Sequence, residues 1–427
     1  MANAKLNFDV VIVGGGLVGL TAALACAQAG FKIGIVDLKE PTLQLNESFD
    51  GRSSAIAAAS FKMMRALGVA DALAEANDNH AGAITKILVS DGEAGQAPSP
   101  LTLYFDSAQI AEANEGEPLG YMVENRRMRL ALIQVAEQSE HIHWIAPARI
   151  TDIEAGPAQS KIALEDGRAL SAALVVAADG RNSFVRKQAG IGVTEWPCNQ
   201  SALVTTVEHD LPHEGVAHEL FLPSGPFAIL PLTGNRASIV WTETPRAAEA
   251  AMALSDAQFE AELARRFGDF LGEVKVIAPR WSYPLSFVHA KSYTAPRTVL
   301  IGDAAHAIHP IAGQGFNMGL RDAAALAEIL VQARAEGRDI GSELALAEFE
   351  DWRKFDNTLL VHACDIFNRL FSNNIGPLKH ARRLGLGLVD KVAPARGFFM
   401  REASGQTGEL PPLLRGQAYS EPTKRAS

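Results

Sequence analysis

The sequence predicts an α/β fold in which a Rossmann-like domain is interleaved with a mixed β-sheet domain and followed by a C-terminal helical region. Three observations predict this class. A strand–turn–helix pattern with closely spaced glycines opens the chain at residues 9–29. Apolar strands that end in glycine and aspartate recur at residues 174–180 and 299–303. Alternating strand patterns occupy residues 200–290, and helical periodicity follows residue 345.

The first element is a nucleotide-binding βαβ unit. Its glycines form G-x-G-x-x-G as Gly14, Gly16 and Gly19, after the apolar strand 9–13. Such glycines allow a tight turn, close approach of a pyrophosphate and close helix–strand packing. An acid at the end of the second strand then bonds a ribose hydroxyl. Asp37, 18 residues after Gly19, stands at that position, so the unit predicts dinucleotide binding.

Two simpler interpretations of this stretch are disfavoured. Residues 10–36 are almost free of charge, as in a signal peptide or a membrane-spanning helix. However, the glycines make a poor helix centre, and the stretch lacks a charged n-region and a cleavage-site pattern. A βαβ unit used only for packing would need neither three consecutive glycines nor Asp37.

A second strand-end motif follows residues 174–178 as Asp179 and Gly180, with Arg186 further on. Asp-Gly at a strand end is often only a turn, and alone it would be read as one. Together with the other strand-end motifs, in this order along the chain, it indicates a shared binding site.

The third motif lies between Thr298 and Asp322. An apolar strand ends at Gly302 and Asp303, and a turn rich in proline and glycine precedes a helix that is expected to open near residues 316–317. An acid and free helix N–H groups at this place suit the ribityl chain and pyrimidine edge of a flavin. His306 and His309 also raise the question of a metal site, but no third ligand is evident, so no metal is predicted.

Size and composition limit the remaining options. With 427 residues the chain can bury a large core, and a net charge of −10 with a pI near 5.6 argues against nucleic-acid binding. The three cysteines, Cys26, Cys198 and Cys364, form neither a metal spacing nor a disulfide framework, so a cytoplasmic location is expected. No further apolar run is long enough to span a membrane.

The ordered motifs resemble those of the FAD-dependent aromatic hydroxylases of the p-hydroxybenzoate hydroxylase superfamily, which are class A flavoprotein monooxygenases. The chain shows G-x-G-x-x-G, then A-D-G-x-x-S-x-x-R, then G-D-A-A-H-x-x-x-P-x-x-G-Q-G-x-N-x-G-x-x-D. Segments at residues 120–125, 230–232 and 371–374 are similar to the ubiquinone-biosynthesis hydroxylases in particular. The resemblance covers residues 8–400.

The resemblance implies a set of FAD contacts. Gly14, Gly16 and Gly19 would hold the pyrophosphate and Asp37 the adenosine ribose. Arg52 would reach the flavin or the pyrophosphate, although without the resemblance a surface salt bridge is the simpler interpretation. Either Arg126 or Arg127 would approach the cofactor. Asp179 would lie near the FAD and near the path by which the nicotinamide approaches it. Asp303 would bond the ribityl chain, and Pro310 would lie over the flavin ring. The residues implied at the pyrimidine edge are Gly315, Phe316 and Asn317.

The resemblance also implies the chemistry. NAD(P)H would reduce FAD, O2 would form a flavin C4a-hydroperoxide, and a polyprenylated phenol or benzoquinol would be hydroxylated in ubiquinone biosynthesis. Alternatives are another FAD enzyme of the superfamily, such as a soluble aromatic hydroxylase or a polyprenyl reductase, and a non-catalytic subunit of a quinone-synthesis complex. No proton acceptor is assigned. The candidate substrate walls, each of which is more often plain core, are Phe227, Ile229, Pro231, Tyr283 and Pro284.

The expected FAD-binding domain and substrate domain are each discontinuous in sequence, because the chain passes between them several times. Residues 1–75, 106–190 and 291–345 would form the FAD-binding domain, and 76–105 with 191–290 the substrate domain. Residues 346–402 would be helical and 403–427 a flexible tail. Between residues 361 and 401 there are seven basic and two acidic residues, which fits a membrane surface, a partner protein or simply a solvated helix face. The first two imply contact with the inner membrane or with other ubiquinone-biosynthesis proteins.

Overall fold

A computed structural model describes residues 6–45, 51–74, 81–110 and 115–419. The strands of this part of the chain are β1 (Leu6–Val13), β2 (Ile33–Val36), β3 (Ser53–Ala57), β4 (Ala81–Ile84), β5 (Lys86–Asp91), β6 (Leu103–Asp106), β7 (Gly120–Glu124), β8 (Ile142–Ile145), β9 (Ile150–Ala155), β10 (Ser160–Leu164), β11 (Ala169–Ala177), β12 (Val193–His209), β13 (Val216–Leu222), β14 (Gly225–Pro231), β15 (Arg236–Glu243), β16 (Val274–Val276), β17 (Trp281–Ala290), β18 (Thr294–Ala295), β19 (Thr298–Leu300) and β20 (His306–Ala307).

The α-helices of the described residues alternate with these strands early in the chain and follow them late. They are α1 (Leu17–Gln28), α2 (Ala58–Ala66), α3 (Val69–Ala74), α4 (Asn125–Glu137), α5 (Phe184–Gln188), α6 (Pro245–Met252), α7 (Asp256–Phe267), α8 (Gln314–Ala335), α9 (Glu343–Phe371), α10 (Gly376–Lys391) and α11 (Ala393–Ala403). The predicted helical region after residue 345 is therefore confirmed.

The first sheet has the order β18-β19-β11-β1-β2-β8, and its central strands from β19 to β8 run parallel. A β9–β10 hairpin attaches to β11. The side chains in the second half of β1 and in all of β2 are buried on both faces, because α1, α4 and α8 contribute to the same apolar core. This arrangement confirms the predicted Rossmann-like part of the fold.

The second sheet has the order β20-β17-β12-β15-β14-β13-β5-β6 and is antiparallel except where β13 meets β5. Its two faces have different neighbours. The back face, defined by Leu203, Phe227, Ile239 and Trp241, packs against α6 and α7. The opposite face, called the front face below, carries the alternating residues, of which Ala202, Glu219, Ala228 and Val240 are paired in register.

A small third sheet has the strand order β3-β7-β4. The sequence predicts one strand at residues 84–89, but the structure has β4 and β5 there, separated at Thr85. The two strands join different sheets, since β4 pairs with β7 whereas β5 pairs with β13. Part of the stretch predicted to belong to the substrate domain therefore pairs with strands from the predicted FAD-binding stretches.

The C-terminal segment departs from the expected flexible tail as far as residue 419. Leu413 and Leu414 are fully buried in the core of the first sheet, and Ser404 is buried as well. The backbone N–H of Ala59 donates to the Ser404 carbonyl, and the Tyr419 hydroxyl donates to Glu328. This segment was expected to be mobile because its composition is polar. The burial of its leucines and these hydrogen bonds hold it against the rest of the protein as far as residue 419.

None of the helices in the described parts of the chain is long and apolar enough to cross a membrane.

Candidate functional site

The three predicted motifs meet at one edge of the first sheet. They follow β1, β11 and β19, which are neighbouring parallel strands, so their carboxyl ends lie side by side. Backbone hydrogen bonds align the ends of these strands. The Ala178 N–H donates to the Val13 carbonyl (2.8 Å), and the Ile301 N–H donates to the Ala177 carbonyl (3.0 Å). Ligands of open α/β sheets bind at this carboxyl edge.

The glycines of the first turn have different roles. Gly14 has φ +104°, and a Cβ there would lie 2.4 Å from the Ala178 carbonyl oxygen. A Cβ on Gly19 would lie 2.0 Å from the Gly14 carbonyl oxygen, so both residues are required by the protein's own packing. A Cβ on Gly16 would meet no atom within 4 Å. The space above Gly16, at the N-cap of α1, is therefore open to a ligand.

Asp37 lies at the end of β2 and braces the glycine turn. Its Oδ2 accepts a hydrogen bond from the Gly15 N–H (2.6 Å), and its Oδ1 accepts one from the Lys39 N–H (2.8 Å). The carboxylate is partly exposed and each oxygen has a second lone pair. It can therefore orient the turn and still accept hydroxyl groups.

Arg129 contacts the glycine turn, although it was not among the residues predicted from the sequence. Its Nη1 donates to the Gly15 carbonyl (3.3 Å), and it is 7% exposed. Arg126 and Arg127, the two predicted candidates, are partly exposed on the same helix, and Arg127 lies 3.9 Å from Glu124. Helical spacing could have indicated that Arg129 points inward. It lies three residues before the buried Leu132, on the apolar face of α4.

The second motif serves partly as a helix cap. Asp179 Oδ2 accepts from the N–H groups of Phe184 (2.7 Å) and Val185 (3.2 Å) at the start of α5. Its Oδ1 is buried and has no hydrogen-bond partner among the described residues. Arg186 ties this motif to the third one by donating to the Ala304 carbonyl at 2.7 Å.

Asp303 is exposed at the strand edge, and none of the residues with described positions hydrogen-bonds its carboxylate. The turn that contains Asp303 is held in place by the buried carboxylate of Asp322. This carboxylate accepts hydrogen bonds from the Gly302 N–H (3.0 Å) and from His306 (2.5 Å). Arg353 pairs with Asp322 at 2.9 Å. Burial alone would raise the pKa of Asp322, but His306 and Arg353 outweigh burial and hold that pKa below its usual value.

His306 thus belongs to a structural network. In the described part of the chain there is no group of three or more His, Cys, Asp or Glu side chains that could hold a metal ion.

The start of α8 differs from the prediction at Asn317. The helix begins at Gln314, after Gly313 in the left-handed region (φ 62°). The Asn317 side chain is buried, accepting from the Ala57 N–H (2.9 Å) and donating to the Ala55 carbonyl (2.8 Å). Its amide group therefore joins α8 to β3 and is not free for a ligand. The first-turn N–H groups of Gly315 and Phe316 remain without intrahelical acceptors, and Pro310 is exposed beside them.

The predicted substrate walls are mostly elsewhere. Phe227 and Ile229 are buried in the back-face core against α7, and Pro231 is buried on the same side of β14. Pro284 is exposed. These four residues fail as walls because strand alternation turns them away from the front face. Tyr283, which is in register with Ala202, lies on the front face.

Arg52 connects the two regions. It is exposed, and its guanidinium lies 5.3 Å from the centroid of the Tyr283 ring. Arg52 immediately precedes β3, whose backbone holds Asn317, so this cation–π contact places the front face of the second sheet beside the turn of the third motif.

These features fit a flavin dinucleotide. The open volume above Gly16 stands at a helix N-terminus, which attracts a pyrophosphate. Asp37 and the exposed Asp303 can accept ribose and ribityl hydroxyls, and the start of α8 faces the same edge with free N–H groups. A cleft of about 890 Å³, lined by residues such as Gly156, Arg297 and Lys354, lies at the amino ends of the parallel strands instead. It is at the opposite edge of the sheet from the motifs.

Comparison with known proteins agrees with this fit. Residues 7–341 match the family described as FAD binding domain. The chain is 45% identical to the ubiquinone hydroxylase UbiL of Rhodospirillum rubrum, over 96% of this chain and 92% of the relative. It is 35% identical to the 3-demethoxyubiquinol 3-hydroxylase of Escherichia coli, over 93% of this chain and 98% of the relative.

Solved structures show the same fold at low identity. The p-nitrophenol 4-monooxygenase PnpA of Pseudomonas putida has a TM-score of 0.77 at 19% identity and covers 95% of this chain and 100% of its own. HpxO of Klebsiella pneumoniae, solved with FAD and uric acid, has a TM-score of 0.72 at 18% identity and covers 95% of this chain and 98% of its own. From the family match and the identities to its relatives, the chain belongs to the FAD-dependent hydroxylase family of ubiquinone biosynthesis.

Proposed function

We propose that this protein hydroxylates the aromatic ring of a polyprenylated phenol or benzoquinol on the way to ubiquinone, as an FAD-dependent monooxygenase. The observation that carries the proposal is the meeting of three motifs at one sheet edge beside the front face of the second sheet. The high identity to a ubiquinone hydroxylase over nearly the whole chain supports the choice of pathway. When bound, FAD supplies the electron transfer and the activation of O2.

The positions of individual residues support their proposed roles. The N–H groups at the start of α1 and the open space above Gly16 would receive the pyrophosphate. Asp37 holds Gly15 and would also bind the ribose, and Arg129 donates to the Gly15 carbonyl of the same turn. Asp303 would accept ribityl hydroxyls, Pro310 would lie near the ring, and the N–H groups of Gly315 and Phe316 would stabilise negative charge at the pyrimidine edge.

The electron donor is proposed to be NAD(P)H. The sequence has one G-x-G-x-x-G motif in strand–turn–helix context, and FAD takes that place. A nicotinamide donor would therefore bind transiently near Asp179 and Gly180, which are both partly exposed, with Gly180 at φ 81°. Measuring NADH and NADPH oxidation separately, each with and without a prenylated phenol, tests the donor.

The function is tested with the purified FAD-loaded protein. It is given O2, NADH or NADPH and a phenol with a ten-carbon prenyl chain, and products are identified by mass spectrometry. We expect a product heavier by one oxygen atom, labelled from ¹⁸O2. A reduced prenyl chain without added oxygen would indicate a polyprenyl reductase. A purified protein that cannot be loaded with FAD even at high FAD concentration would favour a non-catalytic subunit. Quinone intermediates in a deletion strain identify the ring carbon.

A membrane surface is the proposed partner of α10 and α11. Leu384, Leu388 and Phe398 are 66%, 63% and 52% exposed, which is unusual for large apolar side chains on successive helices. Exposed Lys391 and Arg401 flank them and suit an anionic lipid surface. A prenylated substrate dissolves in the bilayer, so an enzyme resting on its surface gains access to it.

Two basic residues of the predicted surface are instead bound to a buried carboxylate. Arg382 and Arg383, counted as part of a basic surface, both bind the buried carboxylate of Asp91 at the end of β5. Arg382 is 4% exposed. These arginines dock α10 on the second sheet, and the membrane proposal therefore depends on the exposed leucines and on Lys391.

A further inference from the structure

Glu219 is a carboxylate placed in the middle of an apolar face. It lies on β13 in register with Ala228 of β14 and Val89 of β5, so its side chain projects from the front face of the second sheet. Its neighbours on that face, Ala217 and Phe221, belong to two separate apolar clusters. Glu219 therefore stands at the gap between these clusters.

Both clusters reach the turn of the third motif. The cluster of Phe221 contains Ile311, which directly follows Pro310. The cluster of Ala217 packs against Ala55, and a Cβ on Gly313 would lie 2.8 Å from the Ala55 Cβ. Since the two clusters flank Glu219 and both include or touch this region, a flavin ring bound at this turn would have the carboxylate in front of it.

The Glu219 carboxylate has no hydrogen-bond or ion-pair partner among the described residues. Burial is the sole cause of the rise in its pKa, to about 8, and no neighbouring charge contributes. Glu219 is half-buried. A half-buried carboxyl group with a raised pKa and no partner is a candidate for a functional group.

The charged groups nearest in the packing are otherwise engaged. On β5, Asp91 is paired with Arg382 and Arg383, and Lys86 lies at the far end, in register with Val216. On the turn of the third motif, burial lowers the pKa of His309 to about 4, so this imidazole is uncharged at neutral pH. Across the face, Arg52 lies over Tyr283.

We propose that Glu219 binds the ring hydroxyl of the substrate and accepts its proton. This role rests on the proposed hydroxylation of a phenol. In the step, the substrate O–H bond breaks, an O–H bond forms on the Glu219 carboxylate, and the electron pair stays on the ring oxygen. The electron-rich ring is then the better acceptor of oxygen, and Glu219 returns the proton to the product. An acceptor with a pKa near the working pH is best suited to such transfer.

The test compares wild-type protein with Glu219→Gln, which keeps the shape but cannot accept the proton, and with Glu208→Gln as a matched control. Glu208 is exposed on β12 of the same sheet. The FAD-loaded proteins are given the ten-carbon prenyl phenol, and kcat/KM is followed from pH 6 to 10. We expect the wild-type rate to rise towards a plateau above about pH 8, and the Gln variant to lose this rise and about 100-fold or more in rate.

A second measurement does not depend on turnover. Binding of the same phenol to the oxidised protein, without reductant, is followed by the ultraviolet absorbance of the phenolate. Wild type and Glu208→Gln should bind it with phenolate character, and Glu219→Gln should bind it as neutral phenol with unchanged FAD content. A Gln variant with wild-type phenolate absorbance, or a wild type that binds no phenol, would overturn the role of Glu219. Phenolate binding without any hydroxylated product would count against the proposed function alone.

Discussion

Gly16 and Gly19 belong to one motif, but a side chain would meet different surroundings at each. We expect Gly16→Val to abolish FAD binding while the apoprotein keeps its thermal midpoint, because a Cβ there meets no protein atom within 4 Å. Gly19→Ala should lower the midpoint of the apoprotein itself, because its Cβ would lie 2.0 Å from the Gly14 carbonyl oxygen. FAD fluorescence and calorimetry of both apoproteins check this. Flavin retained by Gly16→Val would refute the assignment of the pyrophosphate site.

Glu219 should also make stability depend on pH. Burial raises its folded pKa from 4.5 to about 8, so the unfolded chain releases the proton at lower pH than the folded chain. The native state is therefore favoured below about pH 4.5, and this advantage is lost as pH rises towards 8. Relative to wild type, Glu219→Gln should gain about 1–3 kcal/mol in free energy of unfolding at pH 8.5 and much less at pH 4.5. Urea unfolding at both pH values measures the difference, and an equal effect at both would contradict it.

At the residue scale the sequence predicts positions whose function depends on local geometry. The structural places of Gly14, Gly19 and Asp37 could be predicted, because the turn and the strand end that need them are local. Arg129 and the structural use of Asn317 could not, because their partners, Gly15 and the backbone of β3, are distant in the chain. The failed substrate walls show the same limit, since a strand pattern gives alternation but not which face meets which helix.

At the scale of elements, α10 is held to the second sheet by a buried ion pair. Arg382 and the Asp91 carboxylate are both fully buried, with 2.8 Å between Arg382 Nη2 and Asp91 Oδ1. We expect Arg382→Ala to cost about 3–5 kcal/mol, because it leaves a buried charge without its main partner. Chemical denaturation measures this cost. The exposed Lys391→Ala serves as control and should change stability little, and a similarly small loss for Arg382→Ala would show that α10 docks by apolar contact alone.

The exposed leucines of α10 give a separate test of the membrane proposal. Leu384→Glu with Leu388→Glu should abolish sedimentation with phosphatidylglycerol–phosphatidylcholine vesicles while leaving FAD content unchanged, because both side chains are more than half exposed. Leu211→Glu, which replaces a leucine 51% exposed in the second-sheet region, is the matched control. Binding by the double variant equal to that of the control would exclude this surface. Weaker wild-type binding in high salt would reveal a contribution from exposed basic residues such as Lys391 and Arg401.

Element boundaries were harder to predict than element types. The helix after the third motif was expected near residues 316–317 and begins at Gln314, because Gly313 takes the left-handed conformation that ends the turn. The strand at 84–89 is divided because its halves pair with different partners, and pairing partners leave little trace in a single sequence.

At the scale of the whole molecule, segments from the beginning, middle and end of the described chain share one core. Leu413 and Leu414 join β1 and α8 in the same apolar cluster. We therefore expect a single cooperative thermal transition for the FAD-binding region, which FAD shifts upward. At a free FAD concentration of 100 times Kd, binding adds about 2.7 kcal/mol to the free energy of unfolding. Scanning calorimetry with and without FAD checks this, and separate transitions for the C-terminal segment would contradict it.

The position of β19 in the first sheet has a consequence for biosynthesis. The strand pairs with β11 yet is made about 120 residues after it, because β11 ends at Ala177 and β19 begins at Thr298. During synthesis, the edge of β11 that pairs with β19 therefore stays unpaired until β19 leaves the ribosome. Unpaired strand edges and exposed apolar surface make nascent chains prone to aggregation. Asp303 and the start of α8 arrive later still. The flavin site is therefore completed only after this interval of synthesis, in which demand for chaperones should be greatest.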